Sequence, residues 1–236
     1  LEYAFVVGHW RLPPHPRRET ILTPPTGATP ARLAAAKAAD TGLLDPTRGP
    51  WLLLVLGGRC FDHDLPPALG AGIAVQVQEA AARLGGSLAI VSSRRSGAAL
   101  EQAAKEAAPG AVFFPWDQTP NPFLALLASA DAAIVTGDSE SMAAEAIAAG
   151  LPAYLAPVPT RCSPRIAVER AAAWSHGLGG PMAWAIQQVW AAGVLLPPRD
   201  LGQFVDDLAA AGYARRLTGE TEITLDWCPP PPPPVT

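Results

Sequence analysis

The stretch Thr136-Gly137-Asp138-Ser139-Glu140-Ser141-Met142-Ala143-Ala144-Glu145 places a hydroxyl and a carboxylate four residues apart beside a marked helix start. At helical spacing Ser141 and Glu145 share one face, one turn apart. The first backbone N–H groups of a helix have no intrahelical partner, and the helix dipole adds positive character at the same end, so an anion can sit there. These groups together suit a ligand with phosphates at one end and sugar hydroxyls at the other. A plainer use also fits: Asp138 or Ser139 as a helix cap and Glu145 as a solvated side chain.

The elements around this stretch are legible. Ala132 to Val135 is an apolar run, Glu140 to Ala149 is rich in helix formers, and Gly150 with Pro152 stops the helix before a second short apolar run. Upstream, Trp51 to Leu56, Ser87 to Val91 and Ala111 to Phe114 read as strands. Helices over about Ile73 to Leu84, Ala98 to Ala107 and Asn121 to Ala130 separate them. Continuous apolar strands alternating with helices predict a parallel sheet covered on both faces, an α/β Rossmann-like doubly wound domain.

Ligands of such sheets bind beyond the carboxyl ends of the strands. There the polar and glycine-rich residues gather: Gly57-Gly58-Arg59, Ser92 to Arg95, Trp116-Asp117 and Thr136 to Ser141. Gly57 and Gly58 would let backbone approach a phosphate, or make only a tight turn. Arg94 and Arg95 would clamp phosphates with planar forks, with one of the two facing solvent. Trp116 would stack on a base or pack into the core. No Gly-x-Gly-x-x-Gly or Gly-x-x-x-x-Gly-Lys-Ser/Thr motif occurs, so the standard dinucleotide and P-loop readings lose their main support.

Composition narrows the classes further. The 236 residues are only 16% charged with a formal net charge of −4, which argues against a nucleic-acid backbone as partner. Cys60, Cys162 and Cys228 are scattered and odd in number, which reads as free thiols in a reducing compartment. Asp62-His63-Asp64 reads as a solvated loop, since three adjacent residues do not easily converge on one ion, and no metal is expected. No run approaches a membrane span and no signal peptide is visible. Leu1 opens directly on an apolar run, as expected of a chain with a further part upstream.

Before the sheet, Leu1 to Val7 reads as a strand, Leu12 to Thr29 as a Pro- and Arg-rich loop, and Pro30 to about Ala39 as a helix capped by Thr29. After it, Pro164 to His176 and Met182 to Ala192 read as helices with Trp174, Trp184 and Trp190 packing inward. Asp200 to Ala211 is amphipathic, with Leu201, Phe204, Val205 and Leu208 on one face. Pro229 to Pro234 reads as a polyproline tail.

Gly57-Gly58, Ser93-Arg94-Arg95, Asn121-Pro122-Phe123, Ala130-Asp131 and the run Val135-Thr136-x-Asp138-Ser139-x-Ser141-Met142-x-x-Glu145-Ala146 with Gly150-x-Pro152 resemble the mitochondrial-fission "elongated mitochondria" (Elm) family. Its bacterial members look like nucleotide-sugar glycosyltransferases of the GT-B fold. Thr26-Gly27-Ala28 matches the family's linker, whereas Trp10, Phe123 and Leu151 depart from its pattern. The resemblance implies a GT-B C-terminal, donor-binding domain over residues 51–215. Residues 1–50 would be the end of an N-terminal Rossmann-like domain plus linker, and 216–236 an extended Pro-rich tail.

It further implies that Gly58 and the amides of Ser139 to Ser141 hold a diphosphate, with Arg94 as clamp. Glu145 would accept from a sugar or ribose hydroxyl, and Trp116 would lie near the base. Gly57, Arg59, Ser93, Arg95, Asn121, Asp138 and Met142 complete the expected site. The catalytic residues stay unassigned, and no cofactor is expected beyond a nucleotide-sugar donor as substrate. The expected activity is metal-independent hexosyl transfer to an unidentified acceptor, in the cytoplasm or at the cytoplasmic face of a membrane. Two alternatives stay open: a non-catalytic recruitment protein of the fission type, and a sugar-nucleotide epimerase.

Overall fold

The computed structural model of the chain describes residues 4–10, 12, 16–40, 42–60, 63–161, 163–195, 197 and 199–231. The chain opens with β1 (Ala4–Val7) and a 3-10 turn (Gly8–Trp10), and β1 pairs in parallel with β2 (Arg18–Ile21). Strand β2 lies inside the stretch expected to be loop: its four residues fall between the prolines, and β-branched Thr20 and Ile21 suit extended backbone. Helix α1 (Pro30–Ala38) starts as expected, with the Thr29 hydroxyl accepting from the Arg32 amide at 3.3 Å.

Next come β3 (Trp51–Val55), α2 (Pro67–Arg83), β4 (Ser87–Val91), α3 (Gly97–Ala107), β5 (Val112–Phe114), α4 (Phe123–Ser129), β6 (Ala132–Thr136), α5 (Glu140–Ala148) and β7 (Ala153–Ala156). The rest holds α6 (Pro164–Gly177), α7 (Gly180–Ala191), α8 (Leu201–Ala210) and β8 (Arg215–Arg216). Six strands form one parallel sheet in the order β5-β4-β3-β6-β7-β8. This is the doubly wound arrangement expected from the sequence, with the order reversing between β3 and β6.

Alternation along the strands explains why both faces are covered. Leu53 and Val55, with Ala133, Val135 and Leu155, meet α4, α5 and α8, while Leu52 and Leu54, with Ile90, Ile134 and Tyr154, meet α2 and α3. Every residue of β3, β6 and β7 is buried. Each such leucine or isoleucine contributes about 2 kcal/mol relative to exposure.

Helix α2 begins six residues before the start the sequence suggested. Pro67 suits the first helical position because its missing N–H would be unpaired there anyway. Gly70 is a contact, since a Cβ there would collide with Leu100 of α3. The tail also starts later than expected. Beyond β8, Leu217 and Ile223 are buried in the core, and the Tyr154 hydroxyl donates to the Thr224 carbonyl at 2.9 Å and accepts from the Trp227 indole at 3.0 Å. Pro232 to Pro234 lie outside the described residues.

The inward packing expected of the tryptophans on α6 and α7 is not observed for Trp174 and Trp184, which are 69% and 65% exposed. These two helices pack chiefly on each other, so their outer faces meet no core. Trp190 is half-buried, its ring 4.9 Å from that of His176. On α8, by contrast, Leu201, Phe204, Val205 and Leu208 are buried as their spacing requires.

Candidate functional site

A cavity of about 400 Å³ lies at the carboxyl ends of β4, β5 and β6. Its walls come from Ser92 to Arg95 after β4, Pro115 and Trp116 after β5, Asn121 to Phe123 at the start of α4, and Ser139, Ser141, Met142 and Glu145 at the start of α5. Because the strands run parallel, the loops that follow them bring these side chains to one end of the sheet. Nine of the thirteen sequence-based candidates meet here: Ser93, Arg94, Arg95, Trp116, Asn121, Ser139, Ser141, Met142 and Glu145.

Gly57, Gly58, Arg59 and Asp138 stand outside the wall. At the point where the strand order reverses, the Gly57 amide donates to the Thr136 hydroxyl at 2.7 Å and the Gly58 amide to Asp138 Oδ2 at 2.9 Å. These amides are therefore already engaged within the protein. A Cβ on Gly57 would collide with the Asp138 carboxylate, and one on Gly58 with the Arg95 carbonyl, so the glycines make room for a packed polar plug. Arg59 is exposed.

Asp138 caps nothing; it is 2% exposed and paired with Arg95 at 3.2 Å. Burial raises its pKa above the usual carboxylate range, against the opposing pull of the Thr136 hydroxyl, the Gly58 amide and Arg95. Ser139 occupies the cap position of α5, yet its side chain makes no capping bond. The amides of Glu140, Ser141 and Met142 accordingly have no hydrogen-bond acceptor among the described residues. The Ser139 hydroxyl also lacks a partner there, although the residue is only 5% exposed and lines the cavity.

The remaining wall divides into committed and uncommitted groups. Ser93 donates to the Gly57 carbonyl at 2.9 Å, and Asn121 Oδ1 accepts from the Phe123 amide at 2.9 Å. Arg94 is exposed and makes no side-chain hydrogen bond or ion pair within the described residues. Trp116 is 43% exposed, its amide fixed by the Ser92 hydroxyl at 3.0 Å. Burial raises the Glu145 pKa, with the charge of Arg32 pulling it back. A cation, an open helix end, two serine hydroxyls, a carboxylate and an aromatic face thus surround one volume, which is what a phosphorylated, hydroxyl-bearing ligand with a flat group requires.

Sequence reasoning missed a second cluster. His9 Nε2 lies 3.0 Å from Glu140 Oε1, and Arg199 Nη1 donates to the same oxygen at 3.1 Å. These residues are 131 and 59 positions from Glu140, and no local pattern ties them to it. A metal cluster is not assembled: among the described residues no three His, Cys, Asp or Glu side chains gather, and Asp62 lies outside them. Cys162 also lies outside. Among the described residues no helix is long and apolar enough to cross a membrane.

A family model described as mitochondrial fission ELM1 matches residues 8–178, well over half of the chain, including β3 to β7 and the whole cavity wall. No curated protein matches the chain.

Proposed function

The chain belongs to the mitochondrial fission ELM1 family, and from that premise we propose that the cavity over β4 to β6 binds the nucleoside diphosphate of a sugar donor, as the donor half of a GT-B-type glycosyltransferase. The observation that carries this reading is the convergence of uncommitted groups on one volume: Arg94, the Ser139 hydroxyl, the open amides of α5, Glu145 and the exposed face of Trp116. Groups serving only the fold are tied up internally, as Arg95 and Asp138 Oδ2 are.

In this reading the diphosphate lies at the start of α5. The helix dipole, the amides of Glu140 to Met142 and the Arg94 guanidinium stabilise the charge that develops as the sugar leaves. Glu145, partly shielded from water, accepts from a ribose or sugar hydroxyl. Trp116 stacks on the base, an arrangement tolerant of base identity because every base has a π face.

The test is calorimetric titration of the chain with UDP, GDP, ADP and CMP, alongside Ser141→Ala and Glu145→Ala. Saturable binding of one nucleotide, weakened in both variants while their unfolding midpoints stay put, supports a donor site and names the base. No heat from any nucleotide with the folded chain rejects it.

A second reading, recruitment without catalysis, is favoured by α6 and α7. Trp174, Leu178, Met182 and Trp184 are each more than half exposed there. This reading predicts that the nucleotide titrations are silent.

A further inference from the structure

We propose that His9 and Arg199 are positioning residues for the phosphate end of this cavity, acting through Glu140; the inference rests on the nucleotide reading above. Glu140 is the first residue of α5. A carboxylate there is drawn toward the free amides and the positive end of the helix dipole. Left to that attraction it would occupy the amides an anionic ligand needs and repel the ligand by like charge.

The structure holds it elsewhere. Glu140 Oε1 accepts from Arg199 Nη1 at 3.1 Å and lies 3.0 Å from His9 Nε2, a close contact outside hydrogen-bond geometry, and Glu140 is not part of the cavity wall. Both partners are themselves fixed. His9 is 1% exposed, stands edge-on to Phe204 with ring centroids 5.1 Å apart, and accepts at its carbonyl from the Asp200 amide at 3.1 Å. Arg199 reaches Cys60 Sγ at 3.7 Å and lies 5.4 Å over the Trp10 ring. Three stretches far apart in sequence thus converge on one carboxylate.

Two consequences follow for the cavity. The negative charge nearest the open end of α5 is balanced, so the field there stays favourable to an anion. The first turn of the helix is left to Ser139, whose buried hydroxyl lines the cavity without a partner among the described residues, and to Ser141. Burial alone would push the Glu140 carboxyl up, but the His9 and Arg199 contacts outweigh it and hold it below the ordinary carboxylate range. Glu140 is therefore a charge kept in place and compensated.

The experiment compares the unaltered chain with Arg199→Gln, His9→Gln and the double variant Glu140→Gln/Arg199→Gln. Each is titrated at low ionic strength with UDP, GDP and ADP and with the matching nucleosides. Arg199→Gln and His9→Gln are expected to lose about tenfold in diphosphate affinity while nucleoside affinity moves by less than about twofold. The double variant, which removes the uncompensated charge, returns to within about twofold of the unaltered chain. A purely structural role would weaken nucleoside and diphosphate alike and would not be rescued; that result overturns the inference and leaves the nucleotide reading standing. If the unaltered chain binds none of the diphosphates, both fall together.

Discussion

Arg95 and Asp138 form a two-point contact across the ends of β4 and β6: Nη2 lies 3.2 Å from Oδ2, and Nη1 donates to the Asp138 carbonyl at 3.3 Å. The pair fills the crevice beside the point where strand order reverses, and the cavity lies next to it, at the ends of β4, β5 and β6. It also distinguishes two arginines that are adjacent in sequence.

Arg95→Gln is expected to lower stability by about 1–2 kcal/mol, at the low end for a buried pair because the arginine is partly exposed. Arg94→Gln should leave the urea midpoint unchanged and lower nucleoside-diphosphate affinity about tenfold. Parallel urea and calorimetric titrations check this. If both variants lose equal stability, the division of labour is wrong.

Asp138 makes stability depend on pH in a direction opposite to most carboxylates. Its pKa is raised in the folded state by burial. The folded protein therefore holds this proton more tightly than the unfolded chain does. The contribution is fully present below the unfolded value and is lost as pH rises through the folded one. Asp138→Asn, which cannot ionise, should accordingly gain on the unaltered chain as pH rises from about 3.5 to about 7. Urea titrations of both proteins across that range read the difference, and a flat difference contradicts the argument.

Two glycines should respond to alanine with opposite signs. At Gly57 the new methyl would strike the Asp138 carboxylate, and a loss of about 2 kcal/mol or more is expected. Gly72 is exposed within α2 with nothing within 4 Å of an added Cβ, and Gly72→Ala should gain about 0.5–1 kcal/mol from helix propensity. Denaturation midpoints decide both.

Tyr154→Phe tests whether residues 217–227 belong to the fold. The hydroxyl accepts from the Thr224 amide at 2.8 Å and the Trp227 indole at 3.0 Å, while it donates to the Thr224 carbonyl at 2.9 Å. Its loss strands those groups, and a cost of about 1–3 kcal/mol is expected. A neutral result in thermal and urea unfolding would mean that the segment only rests on the sheet.

The parallel sheet and the rough position of the site were legible in the sequence. Trp51 to Val55 and Ala132 to Val135 are apolar without alternation, which only strands covered on both faces require, and their polar successors must then lie at one end of the sheet. Local chemistry also marked the stop of α5 at Gly150 and the face shared by Ser141 and Glu145. What tertiary structure alone decided is which polar groups are left over. Arg94 and Arg95 are indistinguishable by composition, and Gly57-Gly58 reads equally as a phosphate loop or a tight turn, until Asp138, 43 residues beyond Arg95 and 80 beyond Gly58, takes one arginine and the Gly58 amide. His9 and Arg199 carry no motif, and become a pair only when folding sets both against Glu140. Hydrophobic periodicity is a local property written into neighbouring residues, whereas the pairing of a buried charge depends on which distant partner the fold brings within about 3–4 Å.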